Sequence, residues 1–191
     1  MKNQYIDNLI LNLKKLPGVG TKQAEKISFF LLKQNENEVE QIINSIVDLK
    51  KNIKECQNCN FLQSNNICHF CMDKSRNKQL MIFETTSDAL KFEKLGIYRG
   101  KYFIIKNLIE NVKNANEPKW KDKLLHYASN FEEIIIALNP TIEGQITSNY
   151  IKVILEEVAL KVTKLAQGLP INSQIDYIDP ITLNLSFENR K

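Results

Sequence analysis

Four cysteines are the residues of this 191-residue chain whose type and spacing are best suited to chemistry. They fall as Cys56-x2-Cys59 and Cys68-x2-Cys71, two knuckles separated by eight residues. Each CxxC turns two thiolates toward one point, and two such turns complete a tetrahedron around Zn2+. A pair of disulfides would use the same residues but needs an oxidising compartment. A thioredoxin-like redox pair needs only one CxxC. The expectation is one structural Zn2+ per chain, held by Cys56, Cys59, Cys68 and Cys71, with His69 a bystander between two ligands. Four sulfurs leave no open coordination position for catalysis, so the metal would serve to fold a segment too short to have its own core.

The second constellation is Leu16-Pro17-Gly18-Val19-Gly20, followed by Thr21 and by Lys22 and Lys26, one helical turn apart. Gly18 and Gly20 allow positive φ and the close approach of another backbone. A helix beginning near Thr21, its expected N-cap, would aim free N–H groups and a positive dipole end at the turn, where a phosphate fits. Such a site grips nucleic-acid backbone without reading bases. An ordinary helical hairpin with exposed lysines has the same spacing.

The elements that must position these residues follow from apolar periodicity. Ile6, Leu9, Ile10 and Leu13 predict a helix over 3–15; Ala24, Ile27 and Leu31 predict a second; Val39, Ile42, Ile43, Ile46 and Val47 predict a third. Beyond the cysteines, strands are expected at Leu80–Phe83, Tyr102–Ile105, Glu133–Leu138 and Val162–Leu165. Helices are expected between them at about 87–95, 119–129 and 143–159, with a polar surface loop at 114–119. That alternation implies crossovers and a mostly parallel sheet covered on both faces. With 43% hydrophobic residues the chain can bury a real core. No apolar run reaches the ~18 residues of a spanning helix, and the start of the chain lacks a signal-peptide pattern, so a cytoplasmic protein with no membrane role is expected. A net charge of +4, from 26 basic and 22 acidic residues, hints at an anionic partner without deciding it.

Leu-Pro-Gly-Val-Gly ahead of a lysine-bearing helix looks like the helix-hairpin-helix DNA-binding motif. With the paired CxxC knuckles about 35 residues later, the chain resembles the RecR family of bacterial recombination mediators. The resemblance continues through Asp73, Arg76 and Tyr98-Arg99-Gly100-Lys101-Tyr102. It runs on through Ala137-Leu138-Asn139-Pro140-Thr141-Ile142-Glu143-Gly144 and Leu165-Ala166-Gln167-Gly168-Leu169-Pro170, and closes with Tyr177, Asp179, Thr182-Leu183 and Arg190. It therefore spans nearly the whole chain in one order.

The resemblance implies an α+β multi-module chain: a helical helix-hairpin-helix module at 1–54, a zinc finger at 55–72, an α/β Toprim domain at 79–170 and a C-terminal oligomerisation segment at 171–191. It implies DNA as a partner, gripped by Gly18, Gly20, Lys22 and Lys26, and assembly as a dimer or ring-like tetramer. It further implies action with RecO, in some settings RecF, to load the RecA recombinase at gapped or single-stranded DNA, with Glu84 and Glu143 as candidates for the RecO-facing surface. Toprim catalysts hold Mg2+ with a glutamate and an Asp-x-Asp pair. Here the corresponding stretch reads Asn139-Pro140-Thr141, and an amide and a hydroxyl are poor substitutes for hard anionic oxygens. A non-catalytic protein is expected, with a magnesium-dependent Toprim-type nuclease or primase as the alternative. The chain departs from the family pattern at Thr21, where proline is common, and at Phe103, where histidine is usual. It departs again at Lys106-Asn107 in place of Gly-Gly, and at Ile171-Asn172-Ser173, which lacks the usual glycines.

Overall fold

The computed structural model describes residues 3–64, 66–110, 117–158 and 160–190. The chain divides into two compact units, Met1–Ile53 and Lys54–Lys191.

The first unit is three helices: α1 (Gln4–Leu13), α2 (Thr21–Leu31) and α3 (Glu36–Asn52). Asn3 caps α1 by accepting from Tyr5 N at 3.0 Å, and Asn35 and Glu38 cap α3 reciprocally. The start of α2 differs from expectation. Its N-cap is Gly20, extended at φ −79 and ψ 174, and Thr21 is the first helical residue. The Gly20 carbonyl already accepts the first intrahelical bond, from Ala24 N at 2.9 Å, so the cap falls one residue earlier. Gly18, at φ +77, makes the reversal between α1 and α2 in the left-handed region that glycine enters without strain. α1 packs on α2, whose buried residues, Ala24 and Ser28, are both small.

From Ile53, the last residue of the first unit, the chain runs into a two-stranded ribbon, β1 (Ile53–Glu55) and β2 (Leu62–Ser64), followed by a four-residue helix, α4 (His69–Met72). There follow β3 (Gln79–Phe83), α5 (Thr86–Lys94), β4 (Lys101–Ile104), α6 (Lys121–Ala128), β5 (Glu133–Ile136), α7 (Ile142–Glu156) and β6 (Lys161–Lys164). A 3-10 turn at Ile175–Tyr177 and α8 (Pro180–Glu188) close the chain. The strands form one parallel sheet in the order β4-β3-β5-β6, with Leu80 opposite both Lys101 and Ile134, and Ile134 opposite Val162. Leu80, Ile82, Tyr102, Phe103 and Ile134 are wholly buried in it, as near-continuous apolar strands of a covered parallel sheet should be.

All four expected strands are present. β5 is two residues shorter than the apolar run, because the ladder closes with Ala137 N donating to Ile82 O at 2.9 Å before the chain turns at Asn139-Pro140. The expected end of α7 at residue 159 and positions 114–116 of the expected polar loop lie outside the described residues. Because β3 is flanked by β4 and β5, the crossovers reverse direction between β3 and β5, and a crevice forms there at the carboxyl ends of the strands. Two departures from the family pattern keep a glycine-like backbone. Asn107 and Asn172 sit at φ +61 and +65, and asparagine is the side chain that best tolerates that region after glycine. Among the described residues no helix is long and apolar enough to cross a membrane.

Candidate metal centre and nucleic-acid interface

The first cysteine knuckle is built by local hydrogen bonds. Asn58 N donates to Cys56 Sγ at 3.4 Å, Asn60 N to Cys56 O at 3.0 Å, and Cys56 N to Phe61 O at 2.8 Å, with Asn60 turned into left-handed backbone at φ +60. Cys68 caps the short α4, which carries Cys71. The four Sγ atoms lie within 4.8 Å of one another, with pairs at 3.3, 3.7 and 3.8 Å. These are too long for disulfides, which need about 2.05 Å. They fit a tetrahedron with metal–sulfur bonds of about 2.3 Å, whose edges are about 3.8 Å. Cys56, Cys59 and Cys68 are buried and Cys71 is partly exposed; His69 is exposed and outside the cluster. Hydrogen bonds with Cys68 and Cys71, and then burial, push the Cys59 thiol up, whereas bonds from Cys59 and Cys71 pull Cys68 down. A dication at the centre of the four sulfurs would let all of them ionise.

The cluster is tied into the sheet of the same unit. Ile104 N donates to Cys59 O at 2.9 Å, and Asn60 Nδ2 donates back to Ile104 O at 2.8 Å. Lys101 Nζ reaches Cys71 O at 2.8 Å, Lys123 on α6 bonds the Asn60 side chain, and the Tyr127 hydroxyl lies 3.2 Å from Cys71 Sγ. Phe70 of α4 packs on Phe61 at 4.4 Å and edge-on to Tyr102 at 5.0 Å. Over Phe70, at 4.6 Å, sits the Arg76 guanidinium, which pairs with Glu93 on α5 and donates to Gly100 O at 2.7 Å. The Arg76 side chain is only 12% exposed, and Arg76→Met leaves the partly exposed Glu93 carboxylate with the Tyr102 hydroxyl but without its counter-charge. A loss of about 1.5–3 kcal/mol is expected, read as a lowered midpoint in urea denaturation. Burial opposes the Glu93 charge, but Arg76 and the Tyr102 hydroxyl overcome it and hold the carboxyl below its usual range. A depressed carboxylate stabilises above the unfolded value, roughly 4.3, and the gain is lost as pH falls through the folded value. The gap between wild type and Arg76→Met should therefore close as pH drops below about 4.

Gly18 and Gly20 lie in the turn before α2, and Lys22 and Lys26 on its first two turns. No side chain caps the first turn of α2 and no acidic residue occupies it. Both lysines are exposed, and neither forms an ion pair among the described residues. A Cβ at Gly20 would have nothing within 4 Å, so no packing inside the chain calls for glycine there.

Glu84 follows β3 directly, and Asn139, three residues past β5, donates to its carboxylate at 3.1 Å across the crevice between β3 and β5. Glu143 is exposed in the first turn of α7, where the helix dipole favours an acid. Thr141 caps that helix by accepting from Gly144 N at 3.0 Å, and a Cβ on Gly144 would fall 2.0 Å from Asn139 O, so only glycine lets the loop fold back on the helix. Beside this edge a cleft of about 830 Å³ opens between Phe83, Asn139, Lys164 and the α8 residues Ile181 and Leu185. Sequence reasoning missed Lys101, Lys123 and Tyr127 around the cysteines. They lie 30 to 67 residues from their partners, and no spacing rule reaches so far.

Residues 6–50 match the family model for the RecR helix-hairpin-helix, residues 78–166 that for the Toprim domain, and residues 168–191 that for the RecR C-terminal region. The recombination protein RecR of Hydrogenovibrio crunogenus is 34% identical over the whole chain and 99% of its own length. That of Syntrophomonas wolfei is 35% identical over 97% of this chain and 96% of its own, and that of Phytoplasma mali 38% identical over 100% and 96%.

Proposed function

This chain belongs to the RecR recombination protein family, and from that premise we propose that it is a non-catalytic, DNA-binding mediator of recombinational repair in the cytoplasm. The observation that carries the reading is the open start of α2, uncapped by any side chain, beside Gly18 and Gly20 and flanked by Lys22 and Lys26. Backbone N–H groups and the two ammonium groups hold phosphates there, independent of base sequence. The four cysteines hold a structural Zn2+, and the four-sulfur donor set leaves it no position for a substrate. The finger spans 55–72, between a helical module at 1–54 and a Toprim domain at 79–170.

Residues 171–191 join copies of the chain. Ile171 is 93% exposed, Ile181 68% and Phe187 65%, and α8 has no buried residue. α3 likewise leaves Ile46 and Leu49 largely exposed. Surfaces of this kind favour association between copies. A single hairpin binds weakly, in the non-specific range of about 10⁻⁴–10⁻⁶ M, and several linked in a ring raise the effective concentration of the remaining sites. Glu84 and Glu143 face RecO, and in some settings RecF joins, to load RecA at gapped DNA. Against the magnesium-dependent nuclease or primase stands the donor set: Glu84 is bonded to the Asn139 amide, with no second carboxylate in Asn139-Pro140-Thr141.

Light scattering on the purified chain, with and without short gapped DNA at low and moderate salt, tests the proposal. A multimer that retains DNA at low salt and releases it as salt rises is expected. A monomer without DNA affinity overturns it.

A further inference from the structure

Of the four cysteines, Cys71 alone is a partly exposed residue. It is also the one whose sulfur has a hydroxyl against it, that of Tyr127 at 3.2 Å. We propose that Tyr127 is a positioning residue of the metal centre, donating its O–H to the Cys71 thiolate and slowing that ligand's departure from the metal. The inference rests on the reading of the four cysteines as a Zn2+ site.

Chemistry sets the direction of the hydrogen bond. A metal-bound cysteine is a thiolate and can only accept, so the Tyr127 hydroxyl 3.2 Å away is the donor. The donor is held rather than free. The Tyr127 ring lies 5.2 Å from Phe131 and 6.1 Å from Phe103, and Lys123, on the same helix, is bonded to Asn60 beside the first knuckle. From the sheet side, Lys101 fixes the Cys71 carbonyl at 2.8 Å. The sulfur and the backbone of Cys71 are therefore each held by a residue of the α/β region. A charge-assisted hydrogen bond to the thiolate holds the sulfur at its ligating position and is lost if that sulfur swings away. Outer-shell partners of this kind are typically worth about 10–100-fold in metal affinity.

Tyr127→Phe keeps the ring and both aromatic contacts and removes only the hydroxyl. With the zinc-loaded full chain, transfer of metal to a chromophoric chelator is expected to be about 10-fold faster in the variant. In the Co2+-loaded chain the sulfur-to-metal charge-transfer band is expected to move to longer wavelength, since an unbonded thiolate gives up an electron more easily. A packing role alone would alter the melting temperature and leave that band in place. An unchanged release rate with an unchanged band overturns the proposal. Should Tyr127→Phe not fold, 3-fluorotyrosine at position 127 keeps the shape and strengthens the donor, so release should slow, and an unchanged rate again overturns it. Wild-type protein that takes up no Zn2+ overturns the metal reading and this inference with it, whereas wild type that binds Zn2+ beside an unaltered variant overturns this inference alone.

Discussion

Cys59→Ser is expected to abolish tight metal binding and to lower the melting temperature sharply, with the loss extending beyond the cysteine segment into the parallel sheet. Cys59 is wholly buried, its sulfur lies against those of Cys68 and Cys71, and its carbonyl accepts from Ile104 N of β4. Structural Zn2+ contributes about 10–16 kcal/mol of apparent binding free energy in finger peptides near pH 7. Whole domains have a net stability of only about 5–15 kcal/mol, so losing tight binding removes an amount comparable to the total. The effect spreads because Phe61, Phe70 and the cysteines share one apolar cluster with Tyr102 and Leu80. Atomic absorption for bound metal and circular dichroism for melting read both parts, and wild type stripped by a chelator should reproduce the variant. Lowering the pH should weaken binding in wild type, because the ligands must be deprotonated. His69→Ala, outside the cluster, should change neither readout. A Cys59→Ser protein with a full complement of metal would remove Cys59 from the ligand set.

Changing Lys22 and Lys26 together to alanine should weaken DNA binding by at least about 10-fold at low salt and flatten its salt dependence. Each phosphate contact adds about 0.9 to the slope of log K against log salt on duplex DNA and about 0.7 on single strands. Loss of two contacts should reduce the slope by about 1.4–1.8 per engaged copy, and by more where several copies bind one DNA. The fold should not change, since both side chains are exposed and alanine is the best helix former. Fluorescence anisotropy over a salt series measures the slope, with metal content and melting as controls. A slope equal to that of wild type would show that the hairpin does not hold the phosphates.

How much could be read in advance depended on the range of each interaction. The cysteine cluster was legible because two CxxC turns are local devices, and local geometry already aims each pair at a point. The hairpin was legible for the same reason, although its cap was not: Thr21 and Gly20 are both acceptable, and only the backbone decides between them. The four strands stood out as apolar runs, but their spatial order depends on which crossovers reverse. That order is what brings Glu84 and Asn139 to 3.1 Å across 55 residues of chain. Departures such as Asn107 and Asn172 became intelligible only with their dihedral angles, which show left-handed backbone kept without glycine.

By itself, then, the amino-acid sequence determined the kinds of element, the two CxxC pairs and the lysines that follow the α2 turn, because each rests on residues close in the chain. Tertiary structure alone decided what surrounds them: Tyr127 against Cys71, Arg76 between Phe70 and Glu93, and the crevice beside β3. Those contacts join positions 6 to 56 residues apart, and they exist only once packing of the sheet and its helices has closed the intervening chain.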